Sequence, residues 1–380
     1  MSEHSVGFDV DPSGQVGPFH PAELAIVIPT FNERGNVSAI FDRLKTVLKD
    51  VAWEVVFVDD DSTDGTLEEL GDLSRRDPRV RFLHRIGRRG LSSAVVEGML
   101  ATHAPYVAVV DCDLQHDETK LPAMLEVLRS GDADIVVGSR YVDEGGVGDW
   151  SQKRRFVSQT ATRLAQAILP VQLSDPMSGF FALTRPALMA SVRTLSGQGY
   201  KILLDIVLSS KTHPRIREVP YTFRLRTRGE SKLDSSVIVD YLMLLIDKTI
   251  GHIVPARFIL FAAVGATGVL VHMATLVATL AASLAFPISQ AISTWVAMTF
   301  NFFLNNVLTY RDKRLKGARA VVLGLLSFYA VCSLGAISNV GVASILFNKN
   351  YSWWLSALIG IAVGLVWNYA LTSTFTWRKK

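Results

Sequence analysis

The sequence predicts an α/β domain followed by a membrane-spanning helical domain, and three observations carry that expectation. From Leu24 onward, short apolar runs alternate with amphipathic stretches, which argues a parallel sheet covered by helices. Three of the apolar runs end in polar clusters, where such sheets place their ligands. Finally, Phe258 to Tyr310 contains no Asp, Glu, Lys or Arg in 53 residues, and Ala320 to Asn348 and Asn350 to Trp377 repeat that absence over 29 and 28 residues. A spanning helix needs about 20 apolar residues, so the first block holds two spans and the others one each.

Residues 1–22, with Asp11-Pro-Ser-Gly and Gly17-Pro18, read as a flexible leader. Strands are expected over 24–29, 53–59, 80–83, 106–110 and 135–137, with helical periodicity near 35–49, 64–76, 90–102 and 118–130. Trp150 to Phe156 begins an amphipathic stretch suited to a membrane surface, and residues 237–246 read as a second interfacial helix within a juxtamembrane segment, 236–256. The transmembrane domain, 257–380, is expected to hold four helices near 258–281, 288–309, 320–346 and 353–375. Lys248 and Arg257 precede the first span, five basic residues from Arg311 to Arg319 follow the second, and Arg378 to Lys380 follow the fourth. The positive-inside rule then puts the soluble domain and both termini on the cytoplasmic side of an integral membrane protein.

The net charge of +4 is modest and argues attraction to anionic lipid rather than nucleic acid. Two cysteines, Cys112 in an acidic motif and Cys332 in a span, indicate no disulfide framework.

The polar clusters carry the chemistry. The first is Pro29-Thr-Phe31-Asn-Glu33, and the second runs from Asp59 through Asp60, Asp61, Ser62, Thr63 and Asp64 to Gly65. Asp64-Gly65 has the makings of an ordinary turn and Ser62 or Thr63 of a helix cap. Three adjacent carboxylates after an apolar strand nevertheless need a counter-charge or polar ligand. The third cluster follows Val107-Ala-Val-Val and reads Asp111-Cys-Asp113-Leu-Gln115-His116. On an extended segment Asp111 and Asp113 would point to one side and converge on a hard cation, Mg²⁺ or Mn²⁺. His116 is expected to support the carboxylates rather than bind metal, since hard cations prefer oxygen.

These motifs, with Gly138-Ser-Arg-Tyr141, Asp175-Pro-Met-Ser-Gly-Phe-Phe181, Gly199-Tyr-Lys-Ile-Leu-Leu-Asp205 and Arg226-Thr-Arg-Gly-Glu-Ser-Lys232, resemble glycosyltransferase family 2, and within it the dolichyl-phosphate mannose synthases. The resemblance covers about residues 23–235, and the four-span region is similar to the GtrA-like membrane domain. It implies a GT-A (Rossmann-like) glycosyltransferase domain, a nucleotide-sugar donor and a polyprenyl-phosphate acceptor. By motif position Pro29, Phe31, Glu33, Val58, Asp60 and Cys112 would line the donor, and Asp111, Asp113 and Gln115 would hold the metal. Arg140, Arg154, Arg226 and Lys232 would contact phosphate, and Ser158, one turn after Arg154, would donate to the acceptor. The family often has Tyr where Phe31 stands and Ala where Cys112 stands.

The resemblance favours mannose from GDP-mannose, passed to dolichyl or polyprenyl phosphate; UDP-glucose is the alternative donor. A lipid carrier or flippase with a loading domain is a second reading, although moving a charged headgroup usually leaves ionisable residues in the bundle. A processive synthase is a third, and it lacks its signature here. Oligomeric state is not legible in the residues.

Overall fold

A computed structural model describes residues 21–148, 152–197, 199–224, 235–251 and 253–378. The leader expected over 1–22 therefore lies almost wholly outside the described residues. The chain forms two compact units that divide between Lys248 and Thr249.

In the first unit the elements run β1 (Leu24–Thr30), α1 (Asn36–Val47), β2 (Trp53–Asp59), α2 (Thr66–Arg76), β3 (Val80–His84), α3 (Leu91–Leu100), β4 (Tyr106–Val109), α4 (Leu121–Arg129), β5 (Ile135–Ser139), α5 (Gln152–Gln166), β6 (Phe181–Thr184), α6 (Arg185–Ser191), α7 (Ile202–Ser209), β7 (Ile216–Pro220) and α8 (Ser235–Ile250). The sheet order is β3-β2-β1-β4-β6-β5-β7. Side chains alternate across each strand, so β1 feeds two cores at once. Leu24, Ile26 and Ile28 pack with Ile40, Leu44 and Leu125 on one face, whereas Val27 packs with Val95, Met99 and Ile206 on the other. A strand buried on both faces has to be continuously apolar, which explains Leu-Ala-Ile-Val-Ile. Each such side chain contributes about 1.5–3 kcal/mol on burial. Gly98 lets α3 lie flat on the sheet: a Cβ there would fall 2.5 Å from Val27 and 2.8 Å from Val58.

Register aligns the strand ends. Thr30 pairs with Asp59, Asp59 with His84, and Ser139 with Pro220. The segments that follow these strands therefore leave from one edge. The sheet is not wholly parallel as expected: β6 runs antiparallel between β4 and β5. Its four residues are too few to show a period of two. The edge strand β7 was equally hidden, because Arg217 and Glu218 interrupt it and Pro220 ends it.

Helix α8 is tied to this unit. Tyr241 donates its hydroxyl to the Ala161 carbonyl at 2.6 Å, and Tyr241 and Leu244 pack with Ala165, Met177 and Leu204. Lys248 Nζ lies 2.7 Å from the fully buried Asp205 Oδ1 and donates to the Thr194 carbonyl and Ser209 Oγ. Asp205 Oδ2 accepts from the backbone and hydroxyl of Ser196.

The second unit contains α9 (Ala256–Ala281), α10 (Phe286–Val307), α11 (Ala318–Asn348) and α12 (Trp353–Leu371), the last continued by a π-turn, Thr372–Thr376. The helices stand where four spans were expected, but among the described residues three are long and apolar enough to cross a membrane: Ala256–Ala281, Ala318–Asn348 and Trp354–Thr376. Helix α10 differs because Ser289, Gln290, Ser293, Thr294, Asn301, Asn305 and Asn306 dilute it, and four of these (Ser289, Ser293, Asn305 and Asn306) are buried within the unit.

Breaking the α8 anchor tests this packing. Lys248→Met leaves the Asp205 carboxylate buried with only neutral donors, the Ser196 amide and the Ser196 and Ser209 hydroxyls, and should cost about 3–5 kcal/mol, read as a lower thermal midpoint of the detergent-solubilised chain. Adding Asp205→Asn should restore most of the loss.

Candidate active site

The loops after β1, β2 and β3 are stitched together before any ligand is considered. Asn32, in the left-handed region at φ 52°, donates its N–H to Ser62 Oγ at 2.8 Å and accepts from Thr63 N at 3.0 Å. Glu33 N donates to Thr66 Oγ1, and Glu33 Oε2 accepts from Asn36 Nδ2 at 2.7 Å.

Each of the three adjacent aspartates has its own donors. Asp59 is fully buried and accepts from the Ser62 amide and hydroxyl, so it shapes the loop. Asp60 accepts from Arg85 Nη1 at 2.5 Å and from Gly90 N at 2.6 Å. Burial raises its pKa, opposed by the Gly90 amide and the Arg85 charge. Asp61 meets His84 Nε2 at 2.9 Å and the Gly87 amide at 3.1 Å, which hold its pKa below the ordinary range.

Arg85 is a site residue that the sequence reading missed. It is buried and also reaches the Gly90 carbonyl and Ser93 Oγ. Its only advance signal was the basic run through Gly87-Arg-Arg-Gly90. Beside it the Arg89 guanidinium lies 4.1 Å over the Phe31 ring. Pro29 and Val58 are register partners at the ends of β1 and β2. Val58 is fully buried, so it presents backbone to this edge.

The metal motif is built differently from the expectation. Strand β4 ends at Val109, and the following residues turn, with Leu114 in the left-handed region at φ 62°. The i, i+2 argument from an extended strand therefore does not apply; a hydrogen-bonded loop places the carboxylates instead. Asp111 N donates to His116 Nδ1 at 3.2 Å, and Asp113 Oδ1 accepts from Gln115 N at 3.1 Å. His116 is buried against Phe180, Tyr221 and Phe223, and burial lowers its pKa to about 4. A neutral ring accepting at Nδ1 carries its proton on Nε2, which lies 3.8 Å from Asp111 Oδ2. Cys112 packs in the core, where burial holds its thiol well above the usual range and hence protonated.

The segment after β7 clamps this loop. Gln115 Nε2 donates to the Arg224 carbonyl at 3.0 Å, while Arg224 N donates to the Gln115 carbonyl at 2.9 Å. The Arg224 guanidinium binds Asp117 and Glu118. Arg224 was not foreseen, since its role depends on a strand that was not foreseen either.

Arg140 is held by a buried carboxylate. Its Nε and Nη2 donate to the two carboxylate oxygens of the fully buried Asp175 at 2.7 and 2.8 Å, and its backbone N–H adds a third bond. The fork expected on phosphate is thus engaged by Asp175, and Arg140 serves here to fix the end of β5 against the segment before β6. Tyr141, one residue on, lies 2.9 Å from Ser158 through the two hydroxyls. Arg154 is one turn earlier on α5; its side chain, Arg226 and Lys232 lie outside the described residues.

The donor set fits a hard divalent cation: Asp111 and Asp113 offer carboxylates, and Gln115 offers its carbonyl once its NH₂ is held by Arg224. Gly179 keeps this place open, since a Cβ there would stand 2.9 Å from Asp111 Oδ2. Among the described residues no three His, Cys, Asp or Glu side chains form a closed cage. A cation held here would keep positions for water and phosphate oxygens.

Residues 25–191 match the glycosyl transferase family 2 model, and 260–377 match the GtrA/DPMS transmembrane domain. The chain is 35% identical to a dolichol-phosphate mannosyltransferase from Pyrococcus furiosus over 361 residues, 93% of this chain and 99% of that one. It is 38% identical to the Saccharomyces cerevisiae protein of the same name over 232 residues, 59% of this chain and 85% of that one. Among solved structures, glucosyl-3-phosphoglycerate synthase from Mycobacterium tuberculosis is similar at 17% identity and a TM-score of 0.47, covering 60% of this chain and 79% of that chain.

Gly179→Ala should weaken Mn²⁺ binding by about tenfold or more, because the added methyl crowds Asp111. Spin-resonance titration of free Mn²⁺ measures this, and an unchanged affinity would remove Asp111 from the ligand set.

Proposed function

This chain belongs to the dolichol-phosphate mannosyltransferase family, which joins a family 2 glycosyltransferase domain to a GtrA/DPMS transmembrane domain, and from that premise we propose that it transfers mannose from GDP-mannose to dolichyl or polyprenyl phosphate. The observation that carries the reading is the clamped Asp111–Gln115 loop, which offers hard oxygen ligands at the sheet edge where the donor loops are already stitched together.

In this reading the acceptor is its own nucleophile. A phosphate monoester has a second pKa near 6, so it is largely ionised at neutral pH and needs no general base. One of its oxygens forms a bond to the anomeric carbon as the bond from that carbon to the donor diphosphate breaks. GDP leaves with the electron pair, and the single displacement inverts the centre, so an α-linked donor gives a β-linked lipid product. Asp111, Asp113 and Gln115 would hold Mg²⁺ or Mn²⁺, which supplies Lewis-acid stabilisation of charge on the leaving diphosphate.

The protein's own groups solve the remaining problem, which is bringing two anions together. Arg154, Arg226 and Lys232 are assigned to phosphate, where planar guanidinium donors bind well. Arg140, held by Asp175, positions the loop that carries Tyr141, and Tyr141 in turn orients the Ser158 hydroxyl. Asp60, braced by Arg85 and Gly90, faces the donor nucleoside along with Phe31 and Glu33. The protein is a membrane protein, with three helices among the described residues apolar and long enough to span. Its basic connecting segments support a cytoplasmic catalytic domain and cytoplasmic termini.

The direct test is transfer in detergent with polyprenyl phosphate, offering GDP-mannose beside UDP-glucose, with Mn²⁺, Mg²⁺ or a chelator. A single-mannose lipid formed only with metal supports the proposal; glucose transfer would reassign the donor. Asp113→Ala should lower kcat by about two to three orders of magnitude while membrane insertion is unchanged, and full activity would remove the metal assignment. Arg154→Ala should raise the KM for the lipid phosphate and leave that for GDP-mannose alone. The reverse pattern would move Arg154 to the donor.

A further inference from the structure

The second unit contains one hairpin twice. A shift of 67 positions lays Asn301-Phe-Phe-Leu-Asn-Asn-Val-Leu-Thr-Tyr-Arg311 on Asn368-Tyr-Ala-Leu-Thr-Ser-Thr-Phe-Thr-Trp-Arg378. The same shift carries Phe261 onto Phe328, Gly268 onto Gly335 and Ser289 onto Ser356. Seven of these fourteen pairs are identical, too few over hairpins of this length for sequence alone to make the case.

The structure supplies three independent ones. Burial obeys the shift: Phe261 and Phe328, Val264 and Val331, Ser289 and Ser356, Thr309 and Thr376, and Tyr310 and Trp377 are buried as pairs. Each hairpin is closed by the same contact. A Cβ on Gly268 would lie 2.3 Å from the Asn301 amide, and one on Gly335 would lie 2.0 Å from Asn368 Oδ1. Only glycine permits so close an approach of two helices.

Third, contacts between the hairpins come in exchanged pairs. Phe302 of the first meets Phe328 of the second with ring centroids 5.8 Å apart; their counterparts, Tyr369 and Phe261, meet at 5.6 Å. Tyr310 and Trp377 are counterparts of each other, and they stack directly at 4.1 Å with planes 5° apart. Residues lying on a two-fold axis must meet their own counterparts.

We infer that the transmembrane unit is a pseudo-symmetric dimer of tandem hairpins, and that the surface formed by Phe261, Phe302 and Tyr310 is an interface whose partner is a second hairpin of the same kind. A hairpin contains two helices, so its tandem copy enters the membrane in the same direction. The axis therefore runs along the helices, and Arg311 and Arg378 end their copies on the same side. Several contacts break the symmetry, and one lies where the hairpins meet: Trp377 Nε1 donates to Asn306 Oδ1 at 3.0 Å, and Asn306 also bonds the Leu315 backbone, whereas the counterpart positions of Trp377 and Asn306 hold Tyr310 and Ser373.

That asymmetric latch provides the test, in the full-length chain. Asn306→Ser with Trp377→Tyr removes it, and Ser373→Asn with Tyr310→Trp installs its counterpart. Each pair alone should lower the thermal midpoint in detergent by about 2–4 °C. The four substitutions together should lose less than half the combined loss, because the latch is moved to the other hairpin. Additive losses, or failure of the fourfold variant to fold, would overturn the equivalence.

A second measurement does not depend on stability. With Cys112 and Cys332 replaced by alanine, Phe302→Cys/Phe328→Cys and Phe261→Cys/Tyr369→Cys should be bridged to similar extents in native membranes by a short bis-methanethiosulfonate linker. Bridging at one seam alone would overturn the proposal.

Discussion

The Asp111–His116 loop has no strand geometry to hold it, and the pair of bonds between Gln115, through its side-chain amide and its carbonyl, and the Arg224 backbone is what does so. Leu114 sits in a left-handed conformation that costs a branched residue about 1 kcal/mol or more. Such a conformation persists only when its surroundings over-determine it. Here the Arg224 guanidinium, the neutral His116 ring and the aromatic box of Phe180, Tyr221 and Phe223 do that together. The box in turn needs β7 at the sheet's edge, because Tyr221 and Phe223 follow directly from it. The antiparallel β6 and the late edge strand are therefore what make a ligand loop after β4 possible.

The same edge handles its charge by pairing it early. Asp60 with Arg85, Asp61 with His84 and Arg140 with Asp175 join segments from different strand ends, while Asp59 with Ser62 closes its own loop. Buried pairs of this kind add little net stability, since desolvation offsets attraction. Their contribution is geometric, because each admits one relative placement of its two loops. Two mutually repelling substrates need such fixed surroundings, since a site that relaxed would give back the electrostatic advantage.

Much of this was legible in the sequence. The strands β1 to β5 and the helices between them were legible, most plainly where both faces of the sheet are buried, which demands continuous apolar runs such as Val55 to Val58. The ligand types in the Asp-x-Asp motif were legible for the same reason, as polar residues placed directly after such a run. What stayed hidden depends on partners distant in sequence. Arg85 and Arg224 look like ordinary surface cations until Asp60 and Gln115 are brought to them, and Arg140 looks available until Asp175 is found beneath it. In the membrane unit the absence of charge was plain. The polar dilution of α10 was visible too, but its meaning was not, because Ser289, Ser293 and Asn306 are buried against neighbouring helices rather than facing lipid.

The two hairpins are most alike at the end where Phe261, Phe302, Tyr310 and Trp377 meet, and they diverge away from it. In the second hairpin Asn339 closes on Gly360 and Gly364, with its Oδ1 2.5 Å from where a Cβ on Gly360 would stand. The counterpart positions in the first hairpin hold His272, Ser293 and Ala297. Ser293 and Ala297 both carry a Cβ, so α9 and α10 cannot reproduce that approach at this level. The seams between hairpins diverge in the same way. Trp295 stacks on Tyr329 at 6.0 Å and Thr299 bonds to the same tyrosine hydroxyl, while the counterparts across α12 and α9 are Ala362, Ala262 and Val366. The shared end is thus fixed by contacts that both copies must keep in order to bind each other. The opposite end is released from that demand and has been free to become asymmetric.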